Sequence, residues 1–263
     1  MCGRSVYNSM KICKSIAIAF SLYSKIPMPQ FPWEEKEMRT MLCFFPWIGG
    51  VIGLILYGWY TFCDAYSIGE YCYLFIGMAM PLLITGGFHM DGFLDTMDAL
   101  HSYQERERKL EILKDSHVGA FSIIMLVLYG LIYGGCFSEI HNPRMLAIFC
   151  SGFFLARSLS GLSVLFFSPA KKDGMLSFFS RSADKKFVGI FLVMQGGICA
   201  LWMIMLHPAV GGLTLLSALL TFLYYARKTK KEFGGVTGDT SGYFVVLCEG
   251  VLCITVACCN HIF

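Results

Sequence analysis

Charge is what this chain has least of: of its 263 residues only 15% are Asp, Glu, Lys or Arg, whereas an ordinary soluble domain carries about 25%. With 56% hydrophobic residues and a mean hydropathy of +0.61, most of the chain must face lipid or protein. No stretch between the apolar runs is long enough to build a core of its own, so residues 1–263 read as one integral membrane domain. A net charge of +3, segregated by loop, is too small for a nucleic-acid footprint. No Cys-x-x-Cys pair occurs among the twelve cysteines. Most lie inside apolar runs, as Cys43, Cys150, Cys199 and Cys253 do, which argues for small buried hydrophobes and against a disulfide framework. Internal repeats and low-complexity tracts are missing apart from the short basic cluster 227–231, which suits a stop-transfer flank or phosphate attraction. There is no Walker-type Gly-rich loop and no kinase motif set, so a nucleotide would be part of a substrate and not an energy source.

What is present is a set of apolar runs near the roughly 20 residues that a spanning helix needs. They fall at 41–62, 71–88, 118–136, 145–167, 187–206, 212–226 and 243–262, with the tight His207-Pro208 turn between the fifth and sixth. The expectation is an all-α, polytopic helix bundle with about seven transmembrane helices. Ahead of them, 12–23 is interrupted by Lys14 and followed by no small-residue cleavage site, which favours an N-terminal in-plane amphipathic helix over a cleaved signal. Ile26-Pro27-Met28-Pro29 ends it, because proline disfavours helix in the residue before it. With the N-terminus inside, all but two of the 21 Lys and Arg residues fall on one side, the exceptions being Arg144 and the intramembrane Arg157. The positive-inside rule makes that side cytoplasmic.

Polar residues concentrate in three places. Gly86-Gly87-Phe88-His89-Met90-Asp91-Gly92-Phe93-Leu94-Asp95-Thr96-Met97-Asp98 begins where the second span leaves the membrane. If helix continues there, Asp91, Asp95 and Asp98 share one face, and their repulsion calls for a cation between them. Carboxylate oxygens suit Mg²⁺ or Mn²⁺, which keep some waters and take substrate phosphates as further ligands. His89 is equally an interfacial hydrogen-bonding group or a ligand or proton carrier. Lys114-Asp115-Ser116-His117-Val118-Gly119 precedes the third span. Asp115 or Ser116 there is either an N-cap or, with Lys114 meeting a phosphate, part of the metal site. Gly234-Gly235-Val236-Thr237-Gly238-Asp239-Thr240-Ser241-Gly242 repeats the arrangement ahead of the last span, with a Gly-rich turn whose N–H groups can approach an anion. Arg157 lies about 15 Å from either end of its run at helical rise, too deep to snorkel easily, and Glu249 in the last span is a plausible partner. Metal-bridged carboxylates with a few cations at one mouth of a bundle outline phosphoryl transfer.

These residues resemble a known family. The segments 85–98, 112–119 and 234–242, together with Ser24-Lys25-Ile26-Pro27-Met28-Pro29, Arg157 and Ala170-Lys171-Lys172-Asp173-Gly174-Met175, look like the cobalamin 5'-phosphate synthases, also called adenosylcobinamide-GDP ribazoletransferases, nearly end to end. The resemblance implies a Mg²⁺-dependent, multi-pass transferase of the cytoplasmic membrane with its active site facing the cytoplasm. It would join adenosylcobinamide-GDP to the ribose 3'-hydroxyl of α-ribazole or its 5'-phosphate, releasing GMP, in nucleotide-loop assembly of cobalamin biosynthesis. Carried onto this sequence, it makes Asp91, Asp95, His89 and Lys114 catalytic. Arg157, Ser116, Lys171, Thr237 and Gly238 would bind substrate, and Asp91, Asp95, Asp98, Asp115 and Asp239 would hold metal. The sequence departs from the family pattern at His117, where Arg is usual, at Lys171 and Lys172, which replace an Arg-Pro pair, and at Val246, a place often held by Glu. The expected partners are the corrinoid nucleotide, α-ribazole and the bilayer, with no nucleic acid and the oligomeric state open. The competing readings are a CDP-alcohol-type phosphotransferase acting on lipid and a cation transporter.

Overall fold

Hydropathy decides the framework, and glycine and proline decide where it breaks. The structure, a computed structural model, describes residues 2–31, 35–170 and 174–263. The helices in chain order are α1 (Cys2–Tyr23), α2 (Glu35–Met41), α3 (Phe45–Ala65), α4 (Glu70–Thr85), α5 (Phe88–His101), α6 (Arg106–Ile112), α7 (Ala120–Phe137), α8 (Pro143–Phe166), α9 (Met175–Ser182), α10 (Lys185–Leu206), α11 (Pro208–Phe233) and α12 (Gly238–Ile262). Among the described residues there is no strand, only one parallel bridge between Pro169 and Val236. The fold is the expected all-α polytopic bundle. Among the described residues six helices are long and apolar enough to cross a membrane, and a seventh crossing is available only if α4 and α5, bent by 94°, are counted together.

That bend changes the reading of the second run. Gly86 and Gly87 both adopt left-handed backbone, φ 65° and 78°, a region costly for residues bearing a Cβ. The helix therefore stops at Thr85 and restarts at Phe88 in a new direction. At 16 residues α4 alone is shorter than a full crossing, and α5 turns away from it by 94°.

The bundle is ordered from centre to rim. In α8 and α12, 78% and 72% of the spanning window is buried, against 22% in α7 and 33% in both α10 and α11. The rim helices expose Ile124, Leu131, Ile198, Met205 and Leu220, which fits surfaces made for lipid and not water. Packing at the centre is close because small residues let backbones meet. A Cβ at Gly49 or Gly53 of α3 would run into the backbone of Phe153 or Cys150 on α8, the small-residue spacing of membrane helix pairs. The cysteines behave as expected: those described are free, and Cys43, Cys150 and Cys253 are buried while Cys199 is half-buried. The N-terminal helix forms, beginning at Cys2 and so longer than the expected 12–23, and packs on α2 and α3.

The expected loop chemistry of 114–119 differs in detail. Neither Asp115 nor Ser116 caps α7. Its N-cap is Gly119, without a side-chain hydrogen bond, and Asp115 Oδ1 instead accepts from the backbone and ring nitrogens of His117 at 3.0 and 2.6 Å. Thr237 does cap α12, through a reciprocal capping box with Thr240.

Candidate active site

All three polar segments come to one end of the bundle, and α5 is the element that gathers them. Gly92 of α5 faces the start of α12 so closely that a Cβ there would meet the backbone of Asp239 at 2.7 Å. Gly242, one turn along α12, faces His89 in the same way at 3.1 Å. This glycine-lined crossing brings Asp239 beside the carboxylates of α5. At the other end of α5, the Asp98 carboxylate sits directly on Gly119, so that any side chain there would collide with it. A carboxylate at the N-terminus of α7 is favourably placed against the helix dipole.

Asp91 is exposed, and Asp95, Asp98 and Asp239 are half-buried. Partial burial, followed by repulsion from Asp91, Asp239 and Asp98, pushes the Asp95 carboxyl up to about 6. Four carboxylates gathered in this way form a donor set suited to a hard divalent cation. As the side chains stand, no three Asp, Glu, His or Cys groups among the described residues are close enough together to hold an ion. Ligation would therefore require the side chains to converge.

The other expected site residues separate into groups. Lys114, Asp115, Ser116 and His117 lie on an exposed loop, and hydrogen bonding to His117 holds the Asp115 carboxyl below the usual range. Thr237 already spends its hydroxyl on the capping box. Gly238 is exposed and nothing lies where a Cβ would be. Lys171 falls outside the described residues. His89 does not join the carboxylates. It points into the bundle, 5% exposed, with ring centroids of Phe45 and Tyr23 at 5.7 and 6.2 Å.

Below α5, Arg157 meets Glu249 as the sequence suggests, Nη1 to Oε1 at 2.6 Å, and also donates to the Phe153 carbonyl at 3.0 Å. These side chains and His89 line a cavity of 280 Å³. Two features are not singled out as site elements by the sequence. The Lys25 N–H donates to the Ile84 carbonyl at 2.7 Å, and the Lys25 stem lies where a Cβ of Gly86 would be, bringing a cation to the break between α4 and α5. At the rim of the site Lys109 and Glu232 pair at 2.5 Å, and Arg106 Nε donates to the Phe233 carbonyl at 3.0 Å, tying α6 to the end of α11. Periodicity could not have found these pairs, whose partners lie more than a hundred residues away.

The family profile described as Cobalamin-5-phosphate synthase matches residues 15–257. The chain belongs to that family. A Lachnoclostridium phytofermentans protein named adenosylcobinamide-GDP ribazoletransferase is 43% identical over 242 residues, covering 91% of this chain and 92% of its own length. Proteins of the same name from Clostridium perfringens and Brevibacillus brevis are 28% and 29% identical, covering 90% and 89% of this chain and 94% of their own lengths. No solved structure matches.

Proposed function

We propose that this chain is an adenosylcobinamide-GDP ribazoletransferase whose active site is the carboxylate end of α5 with the first turn of α12, facing the cytoplasm. The ribose 3'-hydroxyl of α-ribazole, or of its 5'-phosphate, attacks the phosphorus that carries the cobinamide arm. A new oxygen–phosphorus bond forms, the bond to the GMP oxygen breaks, and the products are adenosylcobalamin or its phosphate and GMP.

The observation that carries this reading is the close crossing of α5 and α12 at Gly92, which brings Asp239 beside Asp91, Asp95 and Asp98. A carboxylate titrating close to working pH is suited to take the proton of an attacking hydroxyl. Mg²⁺, held by Asp91, Asp95, Asp98 and Asp239, would offset the negative charge of the pyrophosphate. Asp115, on its exposed loop and bonded to His117, is the residue of the expected ligand set that neither α5 nor α12 carries. Lys25, at the break beside Gly86, and Lys114, on the loop before α7, supply cations that can orient non-bridging phosphate oxygens. The basic loops on the same side as these residues support a site at the cytoplasmic face, where nucleotide substrates are available.

The test is GMP release by the detergent-purified chain from adenosylcobinamide-GDP and α-ribazole, with and without Mg²⁺. Metal-dependent release by wild type, abolished in folded Asp91→Asn and Asp239→Asn, is the expected result. Folded wild type that releases no GMP in Mg²⁺ would overturn the assignment and restore the lipid phosphotransferase and transporter readings.

A further inference from the structure

The 280 Å³ cavity beneath α5 is not explained by the carboxylate chemistry. Its walls come from α4, α5, α7, α8 and α12, and they are mostly apolar and aromatic, with Tyr129 and Tyr133 on one side. The Arg157–Glu249 pair and His89 are its polar lining. Two polar atoms there are buried without a hydrogen-bond partner, His89 Nε2 and Arg157 Nε. Buried polar atoms left unsatisfied carry a substantial cost, and Arg157 Nε is always a donor, so their presence at an otherwise apolar cavity points to a ligand that supplies an acceptor. The roof is formed by His89 and Met90, immediately before Asp91 in the first turn of α5. A molecule filling the cavity therefore ends next to the carboxylates.

We propose that this cavity receives a planar, bicyclic heteroaromatic base, the base of the acceptor nucleoside, and so sets which base is used. The proposal rests on the transferase reading above. An apolar cavity of about 150 Å³ is enough for benzene, so 280 Å³ accommodates two fused rings. Such a base stacks on tyrosine faces, and its unsubstituted ring nitrogen accepts from a buried Nε–H. A lipid acyl chain, which could enter past the exposed Phe75 and Leu82 of α4, would leave both buried nitrogens unsatisfied. With the base inside, the attached ribose emerges beside Asp91.

Gly130 of α7 offers a clean probe: it lines the cavity, and an added Cβ would meet nothing within 4 Å. Gly130→Leu fills space without a backbone clash and replaces glycine with a better helix former. In wild type, free benzimidazole should bind, measured by equilibrium dialysis, and should inhibit competitively against α-ribazole. In Gly130→Leu, the KM for α-ribazole and the benzimidazole dissociation constant should both rise about tenfold or more, the scale for a hydrophobic pocket that loses room for its ligand. The KM for adenosylcobinamide-GDP should stay within about twofold, and a nucleoside with single-ring imidazole as its base should be penalised less than α-ribazole. An unchanged KM for α-ribazole in folded Gly130→Leu would overturn the proposal. So would a rise confined to the corrinoid substrate, or displacement of bound phospholipid by the leucine with benzimidazole affinity untouched. If wild type released no GMP, the transferase reading would fail, while Gly130-dependent benzimidazole binding would still report on the cavity.

Discussion

The two faces of α5 treat charge in opposite ways. Outward, Asp91, Asp95, Asp98 and neighbouring Asp239 gather like charges that push the Asp95 carboxyl upward. Inward, charge is matched, because Arg157 is 1% exposed and bonded to Glu249 at 2.6 Å. The outward set gives up stability for function, the pattern of groups poised to bind a cation or a proton. The inward pair is a buried ion pair in which each partner makes the other tolerable. The comparison separates residues expected to control chemistry from residues expected to control folding.

The largest expected effect is on the inward side. Arg157→Met leaves Glu249 buried without its partner and should destabilise the fold by about 3–5 kcal/mol. The double variant Arg157→Met/Glu249→Leu should recover most of that stability while remaining impaired with α-ribazole. Thermal unfolding in detergent reads the first part and KM the second. A double variant no more stable than the single one would show that the pair does more than neutralise itself.

The outward side should behave in reverse. Asp95→Asn relieves repulsion, so unfolding temperature at pH 7.5 should stay level or rise, while GMP release should fall by roughly 10²–10³-fold, the scale for a lost electrostatic group in an active site. A folded Asp95→Asn protein with near-normal turnover would remove this carboxylate from the site.

Titration sharpens the contrast. The Asp95 carboxyl is raised from 3.8 to about 6 in the folded chain. Its stabilising contribution is therefore complete below pH 3.8 and is lost as pH rises towards 6. The metal-free chain should lose stability over that window, Mg²⁺ should offset the loss, and Asp95→Asn should flatten it. Turnover should run the other way, falling in acid as protons compete with Mg²⁺ for the carboxylates. A pH–rate profile whose acid limb does not move as Mg²⁺ is raised would separate Asp95 from the metal site.

Much of this contrast could be read before the coordinates. Hydropathy located the crossings, because lipid leaves the backbone no alternative to helix, and the same rule exposed Arg157 and Glu249 as a misfit pair inside it. The acidic row was visible at i, i+4 and i+7. The bend was not: a Gly-Gly pair is compatible with a continued helix, and only the backbone at Gly86 and Gly87 shows that α5 turns across the bundle. His89 was left open by the residues and made catalytic by the resemblance, yet it lies beside Phe45 and lines the cavity with Arg157. Thr237 read as a substrate group and is a cap. The cavity had no sequence signal, since five helices contribute to it and its lining resembles any membrane core.

The smallest effect should come from the ion pair at the rim, which tests whether burial alone separates the two faces. Lys109 and Glu232 join α6 to α11 beside the small cluster of Ala99, Leu113 and Phe233. Glu232 keeps 16% of its side chain in solvent, against 9% for Glu249, and Lys228 gives it a second cation at 3.4 Å. Lys109→Met therefore strands a less buried carboxylate that has another partner, and should cost about 1–3 kcal/mol. The hydrogen bond from Lys109 holds the Glu232 carboxyl below its ordinary 4.5. Its stabilisation is thus present above pH 4.5 and is lost as pH falls through the lower folded value. The difference between wild type and Lys109→Met should be full at neutral pH and shrink in acid, with the KM for either substrate unchanged. A loss as large as that of Arg157→Met would show that α6 and the end of α11 are as much part of the folded framework as the spanning helices.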